Sequence, residues 1–312
     1  MDRLSHVVVF GECMVELVNQ GKDTLTKGYA GDTYNTAVYL KRCTPGTSVS
    51  FLTSIGADFL SNELLFKMGE EEINTDLVYR SETRNLGLYM VQTDEHGERT
   101  FAYWRDNSAA TQTMNLKGDT PLSADLFYFS GISLAILDEI QRCKLFALIK
   151  TIRETGGKVV FDPNYRPRLW QSRKEARIWT DLAYANADIA FPGGDDHLAL
   201  YDHTDVDAIH AHVTALGVAE IVVKNGAAGV HIFTKGNHCI VPVERVARVV
   251  DTTAAGDAFN GGYLAARISG KSVTESAGYG AKVAATVISF PGAIVDKGAF
   301  STRVNTASSV SP

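Results

Sequence analysis

The run VVDTTAAGDAFNGGYLAA, Val249 to Ala266, carries the strongest chemical signal in the chain. Its apolar start predicts a strand ending near Asp251. A turn of small residues, Thr252 to Gly256, leads from it into a helix with Ala, Gly and Leu on the packing face. Such a turn exposes backbone N–H groups at a helix N-terminus, and together with the helix dipole these donors hold anions such as phosphate. Ala254, Ala255 and Gly256 have no bulk to obstruct the anion. Asp257 follows in the first helical turn. A carboxylate there is either a simple cap or, if it also faces an acceptor hydroxyl, a general base.

Two other patterns carry less. The run ARISGKS contains GKS, but a phosphate-binding GxxxxGK[ST] loop needs Gly where Ala265 stands, and the segment ends a helix instead of opening one. Gly270 is more simply a helix C-terminus. His210 and His212 form an HxH pair with no His or Cys cluster beside it, so a zinc site is not expected.

The run DTTAAGD resembles the DTxGAGD signature of the ribokinase-like (PfkB) carbohydrate kinases, with Ala254 at the usual Gly. The resemblance implies that Asp257 takes the proton from the attacking sugar hydroxyl and that Ala254, Ala255 and Gly256 form the anion hole for the transferring phosphoryl group. It extends over nearly the whole chain. GECMVEL followed by AGDTYNTAVYL is similar to the family's first signature, with Gly31 and Asn35 kept and Ala30 at the first Gly. Gly31 would let a substrate approach the backbone, and Asp32 or Asn35 would bond sugar hydroxyls. Taken alone, this Gly–Asp pair is an ordinary helix cap.

Within the family, the segments GLYMVQTDEHGERTFAYWR, SGISLAIL and FDPNYRPRLW most resemble the members that act on the sugar acid 2-keto-3-deoxygluconate. Matched residue by residue, Tyr89, Tyr103, Arg105 and Arg166 are implied to contact the substrate. A carboxylate substrate needs a cationic partner, and the planar fork of Arg matches it bidentately. The implied reaction is ATP-dependent phosphorylation of the 6-hydroxyl. A kinase of a neutral sugar, fructose or ribose, is the alternative. A non-catalytic sugar-sensing protein on the same fold is a third reading, disfavoured by the presence of Asp257 and the small anion-hole residues. The resemblance also implies nucleotide contacts at Asn164 and at Lys224, Gly226 and Gly229 in VVKNGAAG. In FPGGDDHLAL, Gly193 and Asp196 fall at the Asn and Glu of the family's NxxE motif, so Asp196 would act on Mg²⁺ through water. Asp251 and Thr253 match residues that hold a monovalent cation such as K⁺ in some relatives.

These side chains need a scaffold. Short apolar runs at Val7–Phe10, Ser50–Leu52, Leu126–Phe129, Val159–Asp162, Ile189–Phe191 and Ile221–Lys224 read as strands buried on both faces. Helical patterns alternate with them, at about Asp32–Arg42, Ile136–Thr155, Lys174–Ala185 and Asp205–Leu216. The alternation predicts a three-layer α/β/α fold with a mainly parallel sheet. Residues 16–29 and 86–105 alternate polar and apolar positions instead, the second as a hairpin turning at Glu95-His96-Gly97. They predict a small β-sheet lid over the strand ends, where open α/β sheets place ligands. The 312 residues thus read as one kinase domain with a two-piece lid and a frayed tail from Ser301.

Composition sets the outer bounds. Hydrophobic residues make up 45% and charged residues 21%, as in an ordinary globular protein. Lys and Arg number 30 against 36 Asp and Glu, which argues against nucleic acid as a partner. No apolar run approaches a membrane span and no signal peptide is recognisable, so a cytoplasmic protein is expected. Four widely spaced cysteines form no CxxC pair and imply reduced thiols. Family lids often meet across a dimer, so a homo-oligomer is expected, with a sugar acid and ATP as small-molecule partners.

Overall fold

The computed structural model describes residues 5–306 apart from 22, 94–98, 244, 245 and 247. Its strands are β1 (His6–Phe10), β2 (Met14–Asn19), β3 (Leu25–Ala30), β4 (Ser48–Ile55), β5 (Val78–Arg80), β6 (Leu88–Thr93), β7 (Arg99–Trp104), β8 (Leu126–Ser130), β9 (Lys158–Asp162), β10 (Ile189–Ala190), β11 (Glu220–Lys224), β12 (Val230–Thr234) and β13 (Asn237–Val241). Nine form one sheet in the order β13-β12-β11-β10-β9-β8-β1-β4-β5. It is parallel from β11 to β5, and only the β12 and β13 pairings are antiparallel. Along β1 the side chains alternate between two cores. Val7 and Val9 join one with Tyr263 and Leu264 of the helix Ala255–Ile268, while Val8 and Phe10 join the other with Leu145 and Ile149 of the helix Glu139–Glu154. A strand covered on both faces is what a continuous apolar run predicts, and the three-layer expectation holds.

Strand order reverses at β1, with β4 on one side and β8 on the other. Ligands of open α/β sheets bind at such a switch point, beyond the carboxyl ends of the strands. Gly11 and Glu12 follow β1 there, Gly131 follows β8, and Pro163 and Asn164 follow β9.

The second sheet has the order β3-β2-β6-β7. Its period-2 pattern sorts the side chains cleanly. Glu16, Tyr89 and Tyr103 lie in register on one face, and Leu17, Met90 and Ala102 on the other. Met14, Tyr89 and Val91 pack with Ala254, Ala258 and Phe300, which fixes this lid against the helices beside the switch point. Both expected lid segments form, and the β6–β7 pairing runs to Thr93 and Arg99. The turn expected at Glu95-His96-Gly97 lies outside the described residues.

Three expectations need correction. Among the described residues no strand leads directly into Asp251. Val249 and Val250 have β-branched side chains, but both are exposed, and only the N–H groups of Val250 and Asp251 bond the Ile288 carbonyl. The helix expected over Ile136–Thr155 begins three residues later, as Glu139–Glu154, because Asp138 caps it by accepting from Gln141 N–H at 2.8 Å, and a separate short helix, Gly131–Ala135, precedes it. The tail does not fray at Ser301. A helix runs over Lys297–Thr306, anchored by buried Phe300 and Val304, and residues 307–312 lie outside the described region. The cysteines Cys13, Cys43, Cys143 and Cys239 are all free. Among the described residues no helix is long and apolar enough to cross a membrane.

Candidate active site

Between the switch point and the lid lies a cavity of about 650 Å³. Asp257 reaches it from the first turn of the helix Ala255–Ile268. Asn35 Nδ2 donates to Asp257 Oδ2 at 2.9 Å. Asn35 itself sits in the first turn of the helix Asp32–Cys43, whose N-terminal neighbour is Gly31. A Cβ at Gly31 would meet the Glu12 carbonyl oxygen at 2.1 Å. The glycine therefore serves first to let the chain after β1 pass against this helix start. Burial, and next the nearby Asp32 carboxylate, push the Asp257 carboxyl well above the usual aspartate range. That makes it a stronger proton acceptor once ionised.

The turn before Asp257 is tightly bonded. Ala255 N–H donates to Thr252 O at 3.1 Å and Thr253 N–H to Asp251 Oδ1 at 2.9 Å. The Ala255 amide is thus spent within the turn, contrary to the expectation that it faces an anion. Gly256 and Asp257 are the first-turn residues whose amides have no backbone acceptor among the described residues. Ala254 has φ −108°, an ordinary value, and its methyl group is buried with Ala258 and Phe300. Nothing in the turn requires glycine there.

Lys224, at the end of β11, brings its ammonium to the same helix start. A Cβ at Gly256 would lie 3.6 Å from Lys224 Nζ, which also donates to Asp162 Oδ2 at 2.7 Å. Asp162 takes a second bond from Asn260 Nδ2 at 2.6 Å. Asn164, in the left-handed region at φ 32°, donates to Asp32 Oδ2 at 2.9 Å and joins the two halves of the cavity floor. Gly226 and Gly229 form the turn from β11 to β12 at positive φ and do not line the cavity. Asp196 does not line it either. Its Oδ1 accepts from Tyr165 N–H at 3.0 Å and lies 3.7 Å from Arg166 Nη1. Burial, then the charge of Asp162, lift its carboxyl to about 6.

The lid supplies Tyr89, Tyr103 and Arg105 to the cavity. Tyr89 is buried and gives its hydroxyl to Glu16 Oε1, so its ring, not its oxygen, is left for packing. Tyr103 is half exposed and packs beside Tyr89 with the rings tilted, their centroids 5.8 Å apart. Arg105 is buried, pairs with Glu12, and lies 5.9 Å from the centre of the Tyr103 ring. Arg166 is exposed and is joined on the cavity wall by Arg168.

Sequence reasoning missed Glu12, Arg99, Arg168, Asp162 and Asn260. Two signals were available. Arg168 shares the segment FDPNYRPRLW with Arg166, and Arg99 shares the alternating face of Phe101, Tyr103 and Arg105. Asp251 and Thr253 do meet a cation, but it is the Arg99 guanidinium. Burial alone would raise the Asp251 carboxyl. The Thr253 N–H, Arg99 and the Gly292 N–H outweigh it and hold the carboxyl below the usual range.

A model of pfkB family carbohydrate kinases matches residues 4–297. A 2-dehydro-3-deoxygluconokinase from Dickeya dadantii is 40% identical over 300 residues, covering 93% of this chain and 96% of the relative. A fructokinase from Vibrio alginolyticus is 30% identical over 264 residues, covering 84% of each chain. In structure, a fructokinase variant from Vibrio cholerae with fructose, ADP and potassium ion bound superposes with a TM-score of 0.85 at 23% identity. That match covers 97% of this chain and 99% of that one.

Proposed function

The chain belongs to the pfkB family of carbohydrate kinases, and on that premise we propose that it transfers the γ-phosphoryl group of ATP to the 6-hydroxyl of 2-keto-3-deoxygluconate. The carrying observation is that Arg105, Arg166 and Arg168 line the same cavity as Asp257. A neutral sugar has no use for that concentration of guanidinium groups, whereas a carboxylate does.

The Asp257 carboxylate takes the proton as the 6-hydroxyl oxygen bonds the γ-phosphorus, and ADP leaves with the electrons of the broken P–O bond. Asn35 keeps the carboxylate aimed at the cavity. The amides of Gly256 and Asp257, with Lys224 close by, face the charge on the transferring group. Lys224, Asn164 and the turn at Gly226 and Gly229 are assigned to the nucleotide side. Gly31, Asp32 and Asn35 are assigned to sugar hydroxyls, Tyr103 and the Tyr89 ring to packing, and Arg105 and Arg166 to the carboxylate.

No three-residue carboxylate, His or Cys cage is present among the described residues. Asp196, close enough to Asp162 to feel its charge, suits a hydrated Mg²⁺ held chiefly by nucleotide phosphates. Bound there, Mg²⁺ would neutralise phosphate charge. The lid face that carries Leu17, Met90 and Ala102 in register, with exposed Trp104 opposite Leu88 on the same face, supports pairing of two copies through their lids. Light scattering reads that directly.

The fructokinase likeness supports fructose as the second reading. Phosphorus NMR of the product from the sugar acid tests the first. A single phosphomonoester at C6 supports it, and absence of any phosphomonoester refutes it.

A further inference from the structure

Asp251 is buried, and both its carboxylate oxygens already face N–H donors. Oδ1 accepts from Thr253 N–H at 2.9 Å and Oδ2 from Gly292 N–H at 2.7 Å. The Arg99 guanidinium completes the set, with Nη1 donating to Asp251 Oδ1 and to Thr253 Oγ1. A metal cation needs oxygen lone pairs directed at it, and here the oxygens are turned to protons. It would also have to sit beside a guanidinium that never loses its charge. The residues at this place do not fit a bound monovalent metal ion.

Arg99 begins β7, so this cation is carried by the lid, while Asp251 and Thr253 open the turn that leads to Gly256 and Asp257. We propose that Arg99 is a tethered replacement for a monovalent metal ion. It neutralises Asp251, orders the anion-hole turn, and does so only when the lid is docked. Arg99 is in this reading a positioning residue, acting on the transferring phosphoryl group through the turn. The inference is independent of which sugar is the acceptor, because it concerns the turn alone.

The test begins with the wild-type enzyme in tetramethylammonium chloride against KCl and NaCl at matched ionic strength, about 0.1 M. Initial rate and melting temperature should be the same in all three salts. A rate or melting temperature that rises in KCl over tetramethylammonium overturns the proposal, and this arm needs no variant. Arg99→Ala should lose about 10–100-fold in kcat, the cost usual for a group that orients others from behind. Added K⁺ or guanidinium should return part of that loss and raise the variant's melting temperature above its value in tetramethylammonium. Arg99→Lys should keep most of the rate. An Arg99→Ala protein with wild-type kcat overturns the assignment. So does a folded, impaired one that neither cation rescues and that Arg99→Lys does not match.

Discussion

Arg105 and Glu12 form an ion pair inside the cavity wall, with side chains only 7% and 1% exposed. The pair is incomplete, since Arg105 Nε and Glu12 Oε1 have no hydrogen-bond partner among the described residues. One free donor and one free acceptor, both buried, are costly unless a ligand satisfies them. A sugar acid offers a carboxylate for the first and a hydroxyl for the second.

Removing one member of this pair has two effects that must be separated. Arg105→Ala leaves Glu12 buried and unpaired, which costs about 3–5 kcal/mol. The double variant Glu12→Gln with Arg105→Met removes both charges and should unfold at a higher urea concentration than Arg105→Ala alone. Steady-state kinetics of the double variant should show KM rising far more for the sugar acid than for ATP. Equal rises would take Arg105 out of the carboxylate site.

Asp257→Asn keeps the shape of the site and removes the proton acceptor. It should bind ATP normally and lose about 10²–10⁴-fold in kcat. In the wild-type protein, burial and Asp32 raise the Asp257 carboxyl, so it gains its proton at a higher pH than an ordinary aspartate. The acid limb of kcat/KM should therefore fall well above pH 3.8, the ordinary value. A limb that follows an unshifted carboxyl, or a fully active Asp257→Asn, contradicts the assignment.

Ala254 replaces the glycine of the DTxGAGD pattern, yet its φ of −108° suits any residue and its methyl group is buried. Ala254→Gly should leave kcat unchanged and lower stability by about 0.5–1 kcal/mol, through lost packing and a freer unfolded chain. Chemical denaturation beside a rate assay reads both.

His197 lies away from the cavity, with Nε2 2.7 Å from the Tyr184 hydroxyl and Nδ1 3.1 Å from His203 Nδ1. Burial first, then the charges of His203 and His212, hold its pKa at about 3 against an ordinary 6.5. The unfolded chain therefore binds a proton below pH 6.5 that the folded one refuses until near pH 3. Stability from the neutral ring is full above 6.5 and falls with pH below it, by up to about 1.4 kcal/mol per pH unit. Urea midpoints at pH 7 and pH 5 should drop less for His197→Gln than for wild type. Parallel drops would show that His197 does not drive the acid sensitivity.

The fold was legible where local pattern decides structure. Continuous apolar runs became strands covered on both faces, and the alternating runs became the lid. The small residues before Asp257 became a helix start that leaves the Gly256 and Asp257 amides, but not that of Ala255, without a backbone acceptor among the described residues. What sequence concealed was pairing at a distance. Arg105 meets Glu12 across 93 positions and Arg99 meets Asp251 across 152, so nothing local marks either partner. Tyr89 reads as a substrate contact, but which part of it is free is hidden until Glu16, 73 positions earlier, is seen to take its hydroxyl. The C-terminal segment misled because its polar composition outweighs its two anchors, Phe300 and Val304, which are buried all the same.

The most direct test of the whole account is a competition of acceptors. Initial rates would be read by coupled ADP detection, with ATP and Mg²⁺ fixed and 2-keto-3-deoxygluconate, fructose and ribose each varied. The account predicts the highest kcat/KM for the sugar acid, with that advantage lost in the Glu12→Gln, Arg105→Met double variant. A higher kcat/KM for fructose or ribose in the wild-type enzyme would contradict it.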